Sequence, residues 1–251
     1  SEVVARAWQR QSDRTGAFDQ DAWPVEPADF GVPAGPRANA FASCPHELGL
    51  YAVLPSAEWV GRMARAGLPT VQLRFKSQDA GAIRAEIRAA VEAVRGTNSL
   101  LFINDHWREA IAAGAYGVHL GQEDLDTLSA DELAEIRHAG LRLGLSTHGY
   151  AEMLRADAVG PSYLALGAVF PTTLKAMATP PQGTGRLHAY AQLMRSRSLV
   201  AIGGIAAGQL PEIVSSGVGS FAVVRAITGA ADPETAATAL QQAWNALQAK
   251  I

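Results

Sequence analysis

From residue 49 onward, short apolar runs alternate with longer segments in which apolar residues return every three or four positions. The runs are Leu50–Leu54, Thr70–Lys76, Leu100–Ile103, Gly117–Leu120, Leu141–Ser146, Tyr163–Val169, Leu199–Ile202 and Phe221–Val224. Their length and apolar character predict strands. The segments between and after them predict helices at Ala57–Ala66, Ala80–Arg95, Trp107–Ala113 and Ala130–His138, and at about 150–156, 185–196, 208–216 and 233–248. In the second of these, Ile83, Ile87 and Val91 recur every four residues and draw one apolar stripe. Gly67, Gly96, Gly114, Gly140 and Gly217 stand where helices should close.

Strands that alternate with helices form parallel sheets, because parallel neighbours need a crossover. Eight such units with no second domain predict a closed (β/α)8 TIM barrel spanning residues 48–251. An open doubly wound sheet is the alternative, and its Gly-x-Gly-x-x-Gly turn is missing after the first strand. Residues 1–47 differ from the rest. Pro24, Pro27, Pro33 and Pro45 forbid a long helix there, although residues 2–11 fit a short one. This part is expected to be an N-terminal extension, irregular and wrapped on the barrel or partly mobile.

Composition narrows the function. Of 251 residues, 48% are hydrophobic and 18% charged, as in a soluble globular protein. A net charge of −3 argues against a nucleic-acid surface. No apolar run reaches membrane-spanning length and the N-terminus lacks an apolar signal core, so a cytoplasmic location is expected. Cys44 is the single cysteine and reads as an ordinary thiol. The sequence leaves open whether the chain forms a homo-oligomer.

In such barrels the active site lies at the C-terminal ends of the strands, and unusual polar residues gather there. In the second strand Gln72, Arg74 and Lys76 share one face while Val71, Leu73 and Phe75 share the other. The polar set then points into the barrel mouth, where two cations meet an anion. The third strand ends in Asn104-Asp105, which either caps the next helix or serves the mouth. The fourth ends in His119-Leu120-Gly121-Gln122-Glu123-Asp124. His119 reads as a network histidine in preference to a catalytic one, and Glu123 as a solvated charge. Asp105 and Asp124, beside Arg74 and Lys76, suggest Mg2+ shared with a diphosphate. Ser146 and Thr147 end the fifth strand and either cap a helix or bind a polar ring. The sixth strand runs into a long segment with Thr172 and Lys175, lid-like in length, where Lys175 is either an anion ligand or a surface charge. Gly203-Gly204 after the seventh strand, with Val224-Arg225 ending the eighth, mark a phosphate site, a place where this barrel class recurrently has one. Arg225 in a surface ion pair is the plainer reading. From the residues alone, the chemistry is metal-dependent transfer or cleavage of a phosphorylated small molecule.

The segments GLYAVLP, VQLRFK, LFINDHWREAI, AYGVHLGQEDL, LGLSTH, LALGAVFPTTLK, AIGGI and FAVVRAI follow one another on successive strand ends. Together they resemble the thiamine phosphate synthase family over about Gly49 to Leu240. The resemblance implies a transferase that condenses an aminopyrimidine diphosphate with a thiazole phosphate, giving thiamine phosphate and pyrophosphate through a dissociative step. It implies that Gln72 and Ser146 contact the pyrimidine, and that Arg74, Lys76, Asn104 and Lys175 hold its diphosphate. Asp105 and Asp124 would hold Mg2+, and Thr172 with the backbone near Gly204 would meet the thiazole phosphate. Many members carry Glu at Phe75, Thr at Leu174 and Ser at Arg225. Two rivals remain. One is a thiazole tautomerase, which would not need the diphosphate and metal set; the other is a silent barrel that binds a phosphorylated ligand.

Overall fold

Among the described residues, eight parallel strands pair in chain order and the last closes on the first. The structure is a computed structural model and describes residues 2–19, 22–33, 35, 37–172 and 180–250. The strands are β1 (Gly49–Leu54), β2 (Thr70–Leu73), β3 (Leu100–Asn104), β4 (Gly117–Leu120), β5 (Arg142–Thr147), β6 (Tyr163–Leu166), β7 (Leu199–Ile202) and β8 (Ser220–Val223). The helices are α1 (Glu2–Thr15), α2 (Ala57–Arg65), α3 (Ala80–Ala93), α4 (Trp107–Ala113), α5 (Gln122–Thr127), α6 (Ala130–His138), α7 (Tyr150–Val159), α8 (Gly183–Leu193), α9 (Leu210–Ser215), α10 (Arg225–Thr228) and α11 (Pro233–Gln248).

The alternation of side chains along each strand divides the core in two. Leu50, Ala52, Val71, Leu73, Leu143 and Leu145 join the large apolar layer between strands and helices. Tyr51, Val53, Phe102, Tyr163, Ala165, Val200 and Ala222 fill the barrel interior, with Leu48 among them. Three large rings share this narrow space: Tyr51 and Tyr163 each pack on Phe102, at 5.9 and 5.1 Å between centroids. The neighbouring strands make room with glycine. A Cβ on Gly117 would fall 2.5 Å from the Phe102 ring, and one on Gly144 would overlap the Tyr163 ring.

Among the boundaries that differ from the sequence expectation, β6 stops at Leu166 and not at Val169, so residues 167–171 are an irregular segment beside the mouth, and three others bear on the charged residues of the site. The second strand stops at Leu73, so Arg74 and Lys76 lie just past its end; the Arg74 N–H still donates to Leu54 O at 2.8 Å and continues the ladder by one step. Asp124 is not on the fourth strand's end but in the first turn of α5. Arg225 opens the short helix α10 and does not end β8. Both helices are too short for periodicity to reveal. Phe75 packs against the outer apolar layer, as its strand parity required.

The described residues among 2–47 pack onto the barrel. Helix α1 runs four residues past the short helix expected and buries Val4 and Ala7. Trp8 packs on Trp23 at 5.0 Å between centroids, and Arg14 pairs with the buried Asp29 at 2.6 Å. The carboxylate of Asp157 on α7 is buried between Arg37 and Arg197. Further on, the chain crosses beneath the barrel. Ser162 Oγ donates to Ala42 O at 2.6 Å, Ser198 Oγ to His46 O at 2.9 Å, and the Leu48 N–H to Ser220 Oγ at 2.7 Å. The segment thereby satisfies polar groups at the N-terminal ends of three strands, opposite the mouth. Among the described residues, no helix is long and apolar enough to cross a membrane.

Candidate active site

The interior polar groups form one continuous hydrogen-bonded chain. Gln72 Nε2 donates to the Tyr51 hydroxyl at 2.8 Å. That hydroxyl lies 2.7 Å from the Tyr163 hydroxyl, which lies 2.7 Å from His119 Nδ1. His119 Nε2 then lies 2.8 Å from Ser146 Oγ. A hydroxyl donates one hydrogen and can accept more than one bond, so the donors along this chain follow the His119 tautomer. In the Nε2–H tautomer Tyr163 donates to His119 Nδ1 and His119 donates to Ser146, whose own hydrogen is then directed away from the chain; in the Nδ1–H tautomer His119 donates to Tyr163 and accepts from Ser146. Gln72 Oε1 is left as an acceptor in both.

The electrostatics agree with a neutral His119. Burial, and then the charge of Arg74, push its pKa down to about 4. Burial pushes the Tyr51 and Tyr163 hydroxyls upward, so both stay protonated. The reading of His119 as a network residue therefore holds. Of the two readings of the fifth strand's end, helix capping is excluded. Ser146 bonds His119, Thr147 Oγ1 donates to Ala165 O at 3.0 Å, and α7 starts on Gly149 without a side-chain cap. Similarly, α4 starts on His106 with no side-chain cap, so Asn104-Asp105 is not a cap.

Above this layer sits a charged rim. Asp105 has φ +66°, a left-handed backbone that Asp tolerates better than most residues. Its N–H donates to His119 O at 3.1 Å, which ties the turn after β3 to β4. Its carboxyl is held above the usual range, first by burial and then by the negative charge of Asp124; Lys76, His106 and Arg74 pull the other way. Those groups therefore share one neighbourhood. Asp124 Oδ2 accepts the Gly121 N–H at 2.8 Å, which fixes the carboxylate over the end of β4. Among the described residues, no three His, Cys, Asp or Glu side chains converge as a metal cage. The two neighbouring carboxylates, Asp105 and Asp124, are a sparser set than such a cage.

The sequence reading passed over three residues in this mouth. Tyr51 and Tyr163 carry the relay, and their signal was a polar-headed ring on the inward parity of an apolar strand. Gln122 Nε2 donates to Ser146 O at 2.7 Å, while its Oε1 is buried with no partner among the described residues.

Across the mouth, Gly203 and Gly204 have φ +103° and +66°. Cβ atoms there would come within 2.5 Å of Ala168 Cβ and of Pro171 O, respectively. Only glycine lets this turn meet the segment after β6 so closely. Val169 and Phe170 N–H groups donate to Ile202 O and Gly203 O at 2.9 and 3.0 Å. Thr172, half-buried, follows directly. Val224 precedes α10 and is half-buried, and Arg225 is exposed. Leu174 and Lys175 lie outside the described residues.

A closed parallel barrel whose C-terminal mouth combines a polar relay, a charged rim and a glycine turn defines a (β/α)8-barrel enzyme. Comparison with known proteins specifies which. The model of the thiamine monophosphate synthase family matches residues 50–227, and the chain belongs to that family. A thiamine-phosphate synthase of Neisseria meningitidis serogroup B is 53% identical over 198 residues, covering 79% of this chain and 95% of the relative. One from Escherichia coli O6:H1 is 50% identical over 192 residues, covering 76% and 90%. A solved thiamine phosphate pyrophosphorylase from Pyrococcus furiosus superposes with a TM-score of 0.69 at 27% identity, covering 80% of this chain and 96% of that one.

Proposed function

We propose that this chain is a thiamine-phosphate synthase, a transferase that joins an aminopyrimidine diphosphate to a thiazole phosphate and releases pyrophosphate. The observation that carries the reading is the buried relay, which ends on Gln72 and Ser146 in one mouth. Gln72 Oε1 is left as an acceptor, and with His119 protonated on Nε2 Ser146 is left as a donor. An aminopyrimidine offers the complement: a ring nitrogen that accepts and an exocyclic amine that donates. The neutral His119 keeps Ser146 oriented without adding a charge beside a ring that becomes cationic.

Arg74, Lys76 and Asn104 stand next to that pocket and suit the diphosphate, and Lys175 is assigned with them. A planar guanidinium and a compact ammonium both favour the charge that grows on the leaving oxygens. Asp105 and Asp124 would hold Mg2+, since the charge of Asp124 raises the cost of ionising Asp105 and a divalent ion relieves it. When bound, the ion would stabilise negative charge on the departing diphosphate. The thiazole phosphate is assigned to Thr172, the Gly203-Gly204 backbone, Val224 and Arg225. The site residues supply orientation, charge and exclusion of water, and the aminopyrimidine itself stabilises the cation that the thiazole nitrogen captures.

The rivals are separated by one set of incubations. Wild-type protein with both substrates and Mg2+ should give thiamine phosphate, and should leave a thiazole carboxylate phosphate supplied alone unchanged. Isomerisation of that thiazole without joining would make the chain a tautomerase. Binding without any turnover would make it a silent barrel.

A further inference from the structure

The N-terminal segment reaches the mouth through a short series of buried contacts. The Trp23 ring stacks on Tyr150 with 6.1 Å between centroids and 20° between planes, and the Arg186 guanidinium lies 4.9 Å from it. The Tyr150 hydroxyl donates to Pro24 O at 2.8 Å. Tyr150 meets Tyr190 edge to face at 4.7 Å. The Tyr190 hydroxyl donates to Gln182 Oε1 at 2.9 Å. Finally the Gln182 N–H donates to Ala168 O at 2.8 Å and the Gly183 N–H to Val169 O at 2.9 Å. Tyr150, Tyr190 and Gln182 are all buried.

The last link is where function enters. Residues 168–171 form the wall against which Gly203 and Gly204 are packed with no space for a Cβ. That wall is held on one side by the turn after β7 and on the other by the backbone of Gln182 and Gly183. Gln182 precedes α8 without making a side-chain cap, and the start of that helix is held by its backbone bonds to Ala168 and Val169 and by the Tyr190 hydroxyl two turns further along the same helix. Tyr150, with Trp23 and Pro24 behind it, packs on Tyr190 from outside the helix. The family model begins at residue 50, so Trp23 and Pro24 lie outside the part matched to the family.

We propose that residues 22–30 are a brace for the thiazole-phosphate half of the mouth, in which Trp23 acts through Tyr150, Tyr190 and Gln182 as a positioning residue. This rests on the assignment of that half to the thiazole phosphate. Trp23 touches no reacting group. It sets the place of Ala168–Pro171 relative to Gly203-Gly204, and hence the backbone donors offered to a phosphate. The pyrimidine half, built on β2 to β5, is not on this path.

The test uses the full chain and three variants: Trp23→Ala, Trp23→Phe and Tyr190→Phe. Tyr190→Phe removes one hydroxyl and keeps the ring, so it should fold even if Trp23→Ala is impaired. Trp23→Ala and Tyr190→Phe should raise KM for the thiazole phosphate roughly three- to tenfold, the scale at which mutations modulate coupling. KM for the pyrimidine diphosphate and kcat should stay within about twofold of wild type, the low end of that scale. Trp23→Phe should behave as wild type. Hydrogen–deuterium exchange should quicken at residues 168–170 and 182–183 in the two disruptive variants, with no change around Ser146. A fall in Tm with both KM values unchanged, or an equal rise in both, would reduce the segment to a stabiliser and overturn the proposal. If wild type makes no thiamine phosphate, the functional assignment fails by itself, and the exchange experiment still decides the brace: quickening sustains the mechanical link, and its absence ends it.

Discussion

The Tyr163 hydroxyl lies 2.7 Å from His119 Nδ1, and the two rings stack at 5.7 Å with 21° between their planes. This pair is the centre of the relay from Gln72 to Ser146. Tyr163→Phe should leave Tyr51 and His119 each short of one buried partner, at about 1–3 kcal/mol. For a domain of this size that is a fall in Tm of several degrees, about 2–4 °C per kcal/mol. The KM for the pyrimidine diphosphate should rise while that for the thiazole phosphate stays near wild type. Thermal melts and steady-state kinetics on the same preparation check both.

His119 should also mark the acid stability of the fold. Its folded pKa is about 4, below the ordinary value of 6.5, so between these values the unfolded chain binds the extra proton. The stabilising contribution is therefore full above about pH 6.5 and is lost as pH falls through 4. The slope from one such proton is at most about 1.4 kcal/mol per pH unit. In His119→Asn, denaturant unfolding should show a shallower loss of stability between pH 6.5 and 4. An unchanged slope would mean that another group carries the acid transition.

Asp105 and Asp124 call for Asn substitutions. Asp105→Ala would add backbone strain of about 1–2 kcal/mol at φ +66°, and Asp124→Ala would remove the acceptor of the Gly121 N–H. Asn keeps the shape and tolerates the left-handed backbone. Asp105→Asn and Asp124→Asn should each lower kcat by about a hundredfold with Tm nearly unchanged, and raise the Mg2+ concentration needed for half-maximal rate. Near-normal turnover at limiting Mg2+ would contradict the metal assignment.

Arg225 is exposed and opens α10, so solvent screens its charge. Arg225→Ala should raise KM for the thiazole phosphate by about tenfold, or roughly 1.4 kcal/mol. The KM for the pyrimidine diphosphate should not move. Equal effects on both substrates, or none, would return Arg225 to a surface role.

Removing residues 1–45 should lower stability clearly. It exposes Tyr150, removes the Ala42 O acceptor of Ser162 Oγ and leaves the buried Asp157 with Arg197 alone. The kcat of any folded fraction should persist, since no described residue of this segment stands in the catalytic mouth. A calorimetric melt beside a single-turnover rate distinguishes loss of folding from loss of chemistry.

The barrel and the polar strand ends were legible because period-two alternation is strict where both faces are filled. Gln72, Arg74 and Asp105 could be placed by parity and position alone. Helices α5 and α10 were not legible, because six and four residues hold too little periodicity to register. That is why Asp124 and Arg225 were expected on strand ends. The roles of Tyr51 and Tyr163 depend on bonds across the barrel, between residues 112 positions apart, which no local pattern encodes. The docking of residues 2–47 was legible only as a change of composition, since Trp23 and Tyr150 meet through the fold.

The most direct test is the stoichiometry of the joining reaction. Wild-type protein with both substrates and Mg2+ should form pyrophosphate and thiamine phosphate in equal amounts, and neither when one substrate is withheld. Pyrophosphate released without the thiazole phosphate and without thiamine phosphate, or no product with both substrates present, would contradict the account.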